Sequence, residues 1–180
     1  AEGTAHDSAG LRPVLRYGAV GAVVVVFLIS GAMFGANDVA AVAFATEAGH
    51  KSASGLVLAV WGVGSFIAAL LYGSRAWGWP LWKQFMVGLV GLAMGASTFS
   101  LAPNLVVLSA LALMTGLAIA PTLTSGNNII QVTVAPSQLT ECLAWVSTAL
   151  NVGVSVGSLL AGQAADSVGS RAVYLAVAGF

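Results

Sequence analysis

Charge is what this sequence has least of. Six Lys and Arg and six Asp and Glu, 7% of 180 residues, balance to a formal net charge of zero. A soluble domain carries about 25% charged residues, so water is the wrong solvent for this chain. With no basic field, nucleic acid is excluded as a partner. Cysteine is nearly missing too. A lone Cys142 rules out an internal disulfide and reads as a small packing residue. The only histidines, His6 and His50, sit in polar stretches with no Cys or His neighbour at ligand spacing. That argues against a metal site, and no cofactor motif is present. It also leaves a serine such as Ser125 without the membrane-depth imidazole that an intramembrane hydrolase needs, so the chain reads as non-enzymatic.

A signal peptide is missing as well. Residues 1–13 are polar and mixed in charge, as expected of the end of a cytoplasmic linker. The apolar run that follows is far longer than the roughly 7–15 residues of a signal h-region. The chain opens without Met, and its last apolar run, 172–180, supplies under half of the about 20 residues a span requires. The expectation is a fragment whose last helix is truncated.

What the sequence has in abundance is apolar surface: 58% hydrophobic residues and a mean hydropathy of +0.95. Spans are expected at about 14–45, 53–72, 81–102, 105–134 and 139–165, with a partial one at 172–180, separated by turns at 46–52, 73–80, 103–104, 135–138 and 166–171. The first five runs each reach about 20 residues and none alternates strictly, which favours helices over barrel strands. The fold class is therefore an all-α, polytopic helix bundle in a lipid bilayer. Glycine, at 22 residues, falls inside the spans. Gly153, Gly157 and Ala161 share one face of the fifth, and Gly88, Gly91 and Gly95 stripe the third, as expected of helix contacts. Arg12, Arg16, Arg75 and Lys83 fall on one side, Lys51 and Arg171 on the other. This bias places the N-terminal side in the cytoplasm, and the expected location is the cell (inner) membrane. Trp77, Trp79 and Trp82 crowd one loop edge and read as an interfacial belt.

A short internal likeness joins Gly64-Ser-Phe-Ile-Ala68 in the second span to Gly157-Ser-Leu-Leu-Ala161 in the fifth. Each is the second helix of a triplet, and inverted three-plus-three repeats are a transporter device.

Several longer stretches resemble the C-terminal six-helix half of a major facilitator superfamily transporter, of the bacterial drug or sugar efflux type. They are Phe34-Gly-Ala-Asn-Asp-Val39, Gly62-Val-Gly-Ser-Phe-Ile-Ala-Ala-Leu-Leu-Tyr-Gly-Ser-Arg75, Ala135-Pro-Ser-Gln-Leu-Thr-Glu141, Asn151-Val-Gly-Val-Ser-Val-Gly-Ser-Leu-Leu-Ala-Gly162 and Asp166-Ser-Val-Gly169. The resemblance implies an MFS-like C-terminal domain with 3+3 inverted repeats, and a missing N-terminal six-helix half as partner. It implies transport of a small-molecule substrate by alternating access, with protons as a further partner. The first, second, fourth and fifth helices would line the cavity. The loop after the second span keeps Gly73 and Arg75 but has no acidic residue between them, so it departs from the family's charged signature. A permease subunit or a non-transporting membrane scaffold is the alternative.

Within this frame Asp38 is the sharpest residue. It is an acidic side chain inside a span, where insertion costs at least about 2.5–3.5 kcal/mol. It lies about 12 Å outward from the middle of that span at 1.5 Å per residue. A carboxylate there suits substrate binding or proton coupling; the plainer alternative is an interfacial residue near the outer helix end, solvated or bonded to Asn37. Asn127, Asn128 and Gln131 form a polar run on the fourth span beyond Pro121, whose missing N–H is expected to be compensated by the hydroxyls of Thr122, Thr124 and Ser125. Asn151 sits near mid-membrane on the fifth span with Thr148 and Ser155 on neighbouring turns. Substrate lining and helix–helix hydrogen bonding both fit these amides. Trp61 is a large aromatic inside the second span. Glu141 is expected at the start of the fifth helix, facing its positive end, with a gating contact to the loop bearing Arg75.

Overall fold

The computed structural model describes residues 18–49, 52–99 and 102–168, with side chains described through residue 165. The partial span at 172–180, both histidines, and Arg12, Arg16, Lys51 and Arg171 lie outside the described residues. Five helices appear among those described: α1 (Gly18–Glu47), α2 (Ala53–Gly73), α3 (Leu81–Phe99), α4 (Leu105–Thr133) and α5 (Pro136–Val168). Four of them, α1, α2, α4 and α5, are long and apolar enough to cross a membrane. The 19-residue α3 forms where expected but is not among the four. Lys83 and Gln84 in its first turn dilute its apolar character.

Helix ends follow local chemistry more closely than hydropathy. α1 continues past the expected boundary at 45, and Thr46 donates its hydroxyl to Val42 O at 2.7 Å. It stops where Gly49 turns left-handed, with φ +76°, the usual device for ending a helix. Asn104 caps α4 by accepting the N–H of Val107 at 2.9 Å. The expected break at 135–138 is much tighter. Val134 is extended and α5 begins at Pro136, because a proline in the first turn has no donor to lose and a preset φ. The turn expected from 166 gives way in the same manner, since the backbone stays helical through Val168.

α1 packs along α5, while α2 and α3 both pack on α4, and α1 also touches α2 and α4. Although consecutive in sequence, α2 and α3 share no comparable seam. The close seams run through glycine. A Cβ on Gly31 would strike the Leu150 carbonyl oxygen, and one on Gly153 the Leu28 carbonyl oxygen. Gly35 and Gly157 repeat the relation with Val154 O and Ala32 O, and Gly64 and Gly116 with Leu113 O and Trp61 O. In all three pairs each glycine abuts the carbonyl three residues before its partner glycine. The stripe at Gly88, Gly91 and Gly95 meets Thr122, Ala118 and Thr115 of α4.

Two apolar clusters fill the ends of the bundle. One gathers Val20, Val23, Phe27, Phe85, Ile130, Cys142 and Val146 near the start of α1, with Cys142 fully buried as a small packing residue. The other holds Met33, Ala36, Ala40, Val57, Leu92, Phe99, Leu108 and Ala112 toward the opposite end.

The crossings predict a sharp contrast among glycines. Gly153→Ala or Gly31→Ala drives a methyl into a partner backbone that cannot rotate away, and each should cost about 1–3 kcal/mol. Gly62→Ala, with open space at its Cβ, should stay within about 0.5 kcal/mol of the parent. Unfolding in mixed micelles, followed by helical circular dichroism, measures both. Equal losses at the three positions would refute the crossing geometry.

Candidate functional site

α1 supplies the most confined polar groups. From Ser30 to Asn37 every residue except Phe34 is buried, and Asn37 keeps only 5% of its surface exposed. Asp38 follows, half-buried. The helix midpoint lies between Ala32 and Met33, so Asp38 sits about 8 Å from the middle at 1.5 Å per residue, nearer the centre than the hydropathy boundaries gave. Among the described residues no cation pairs with Asp38, and no hydrogen bond joins it to Asn37.

Phe34 lies four residues before Asp38 and so on the same face of α1. Its ring meets Trp61 of α2 edge-on, with centroids 5.5 Å apart and planes at 77°. The Trp61 Nε1–H is buried with no hydrogen-bond partner, a state that costs about 1–3 kcal/mol. Phe34 thus links an indole donor lacking an acceptor to the α1 face that carries a carboxylate with no donor among the described residues. That pairing of needs is the strongest local sign of a ligand or of a second side-chain arrangement.

Asn151 lies about 10 Å from Asp38, displaced toward the start of α1. Leu150 abuts Gly31, and Asp38 is seven residues beyond Gly31 at 1.5 Å each. The face of α5 that carries Asn151 is turned away from α1. With Ser147, Thr148 and Ser155 it lines a shallow groove of about 410 Å³. Asn151 donates to the Ser147 carbonyl at 2.8 Å, and its own carbonyl accepts the Ser155 hydroxyl at 3.0 Å. Both bonds stay within α5, so the amide makes no bridge to another helix in the bundle.

Asn127 and Asn128 are half-buried on α4, Gln131 is exposed, and Gln131 Nε2 reaches Asn128 Oδ1 at 3.5 Å. They lie at the opposite end from Asp38. Gly126 packs on the Phe27 ring, eleven residues and about 16 Å below Asp38 along α1. The expected polar residues thus form three separate loci at three depths. The expected repair around Pro121 also differs in detail. Thr122 Oγ1 donates to Ala118 O at 2.6 Å and Ser125 Oγ to Pro121 O at 2.6 Å, whereas the proline deprives the Leu117 carbonyl of its donor.

Glu141 is exposed and five residues inside α5, because the helix starts at Pro136. It is too deep to complement the first turn. Among the described residues no ion pair joins it to Arg75, whose guanidinium lies over the Trp77 ring at 5.6 Å from the centroid.

A polar cluster that the sequence did not announce closes the end of α2 and α3 at their connecting loop. The Tyr72 hydroxyl donates to Gln84 Oε1, Gln84 Nε2 donates to Trp79 O at 2.6 Å, and Trp77 Nε1 donates to Tyr72 O at 3.1 Å. Trp77 stacks on Tyr72 at 5.5 Å. The available signal was Gln84, an amide in the first turn of an apolar run. No protein-family model matches the chain, and neither the curated proteins nor the solved structures contain a match to it.

Proposed function

We propose that this chain is one half of a transporter of the major facilitator type, moving a small drug-like or sugar-like solute by alternating access. The observation that carries the reading is the recurrence of one crossing geometry. Exchanging α1 with α4 and α2 with α5 turns the Gly35–Gly157 crossing into the Gly116–Gly64 crossing, each glycine facing the carbonyl three residues before its partner. The same exchange superposes Gly64-Ser-Phe-Ile-Ala68 on Gly157-Ser-Leu-Leu-Ala161, and Ala68 and Ala161 are both buried at 4% exposure. Since α1 and α4 run in opposite directions, such a repeat is inverted, the arrangement transporters place around a midplane site.

The polar loci support the same reading. The wall of a path through a membrane needs polar groups at successive depths, and Asp38, Asn151 and the Asn128–Gln131 pair supply an outer, a middle and an inner one. Asp38 and the unpaired Trp61 N–H would bind solute or proton, with Asn37 beside them. Asn151 and its neighbouring hydroxyls would contact solute across the interface with the other half.

Three outcomes follow. In the transporter containing this chain, Asp38→Asn should abolish the acceleration of flux by an imposed pH gradient while leaving the elution profile unchanged; undiminished pH-driven flux refutes the coupling role. Asn151→Ala, whose bonds are local to α5, should change stability by no more than about 0.5 kcal/mol yet raise the KM for solute, and an unchanged KM removes it from the site. The chain reconstituted alone in liposomes should show no saturable solute flux, because its cavity wall then lacks a second half. Saturable flux would overturn the half-transporter reading.

A further inference from the structure

A cavity of about 460 Å³ opens where α2 and α3 diverge over α4, at the end bearing the tryptophan loop. It falls within the roughly 300–1,000 Å³ of small-molecule sites. Its walls are apolar: Ala68 and Leu71 from α2, Val87 and Gly91 from α3, Met114 and Leu117 from α4. Leu71, Val87 and Met114 are 62%, 59% and 64% exposed, so the mouth opens sideways toward hydrocarbon. Polarity is confined to one end, where Tyr72, Gln84, Trp77 and Trp79 complete the lining. From Gln84 to Gly91 the cavity runs about 10 Å along α3.

Two cations stand at that polar end. Arg75 lies over the Trp77 ring, and Lys83 Nζ lies 5.4 Å from the centroid of the Trp82 ring. Among the described residues no carboxylate pairs with either. Aromatic residues with nearby cations mark the headgroup level of a bilayer, and an anionic leaflet supplies the complementary charge. The site is therefore apolar along its depth, with Arg75 over its lining Trp77 and Lys83 adjoining its lining Gln84 in sequence, which matches an amphiphile with a negative head.

We propose that this crevice is a phospholipid site, holding an acyl chain between α2 and α3 and the phosphate of an anionic headgroup near Arg75 and Lys83. The inference does not rest on transport, since a scaffold would hold the lipid equally well. The test is native mass spectrometry of the chain, purified in non-ionic detergent and supplied with equal phosphatidylglycerol and phosphatidylcholine. The parent should retain phosphatidylglycerol in preference. Arg75→Gln and Lys83→Gln, both at exposed positions, should each cut that preference about fivefold. Val87→Trp, which fills the mouth from an exposed position, should reduce retention of both lipids while helical circular dichroism is unchanged. Equal retention of the two lipids by the parent, a preference that survives the double substitution, or retention unaffected by Val87→Trp would each overturn the proposal.

Discussion

Backbone-to-backbone contact at three glycine pairs is the constraint from which the rest of the bundle follows. In hydrocarbon there is no hydrophobic drive to bring helices together, so close packing must do it. Here the approach is closer than any side chain permits. The carbonyls of Leu28, Ala32, Leu150 and Val154 occupy the space where Cβ atoms of Gly153, Gly157, Gly31 and Gly35 would be. The register between α1 and α5 is thereby fixed, because sliding one helix by a single residue sets a real Cβ against a carbonyl. Hydrogen bonding between side chains contributes little to these seams. The hydroxyls of Thr115, Thr122, Ser125 and Thr133 all donate back to carbonyls of α4 itself, and Ser155 donates back within α5.

That constraint decides where polarity can go. The α5 face holding Gly153 and Gly157 is committed to α1, so Asn151, Thr148 and Ser155 are turned outward, where Asn151 and Ser155 bond to carbonyls of their own helix. α1, wedged between α5 and the α2–α4 pair, has almost no free face in its middle. Asp38 is half-buried just past the fully packed Gly35–Asn37 stretch, before Ala40 and Ala41 are buried again. The same wedge buries the Trp61 indole against Phe34 and leaves its N–H without an acceptor.

Much of the helix pattern was legible because runs of about 20 Val, Leu, Ala and Gly without strict alternation can satisfy their backbone in lipid only as helices. The stripes at Gly88–Gly95 and Gly153–Ala161 could be read directly, since residues three and four apart share a face. The partner stripe at Gly31 and Gly35 could not, because α1 is small-residue-rich all round and no single face stands out. Boundaries slipped where hydropathy and capping disagree. Thr46 and Glu47 are polar yet helical, and Pro136 reads as a breaker but opens a helix. The candidate site was legible as a set of residues and not as an arrangement. Nothing in the spacing of Asp38, Asn128 and Asn151 says that they sit at three depths, which depends on which helices pair and in which direction.

The crevice between α2 and α3 is a consequence of those same pairings. α2 reaches α4 through Gly64, and α3 reaches it through Gly88, Gly91 and Gly95. Both helices are held close to α4 on separate faces, and no small-residue seam draws them together. Two helices anchored on a third and meeting each other only near their connecting loop leave a gap over it, lined on the α4 side by Leu117 and Pro121. The proline adds a carbonyl without its helical donor to an otherwise apolar floor. What closes the gap at one end is the Tyr72–Gln84 bond between α2 and α3, together with the Gln84–Trp79 bond to their connecting loop. The tryptophans therefore have two tasks that the sequence shows as one. Their spacing reads as an interfacial belt, and Trp77 and Trp79 form the end wall of a cavity whose other walls are hydrocarbon-like.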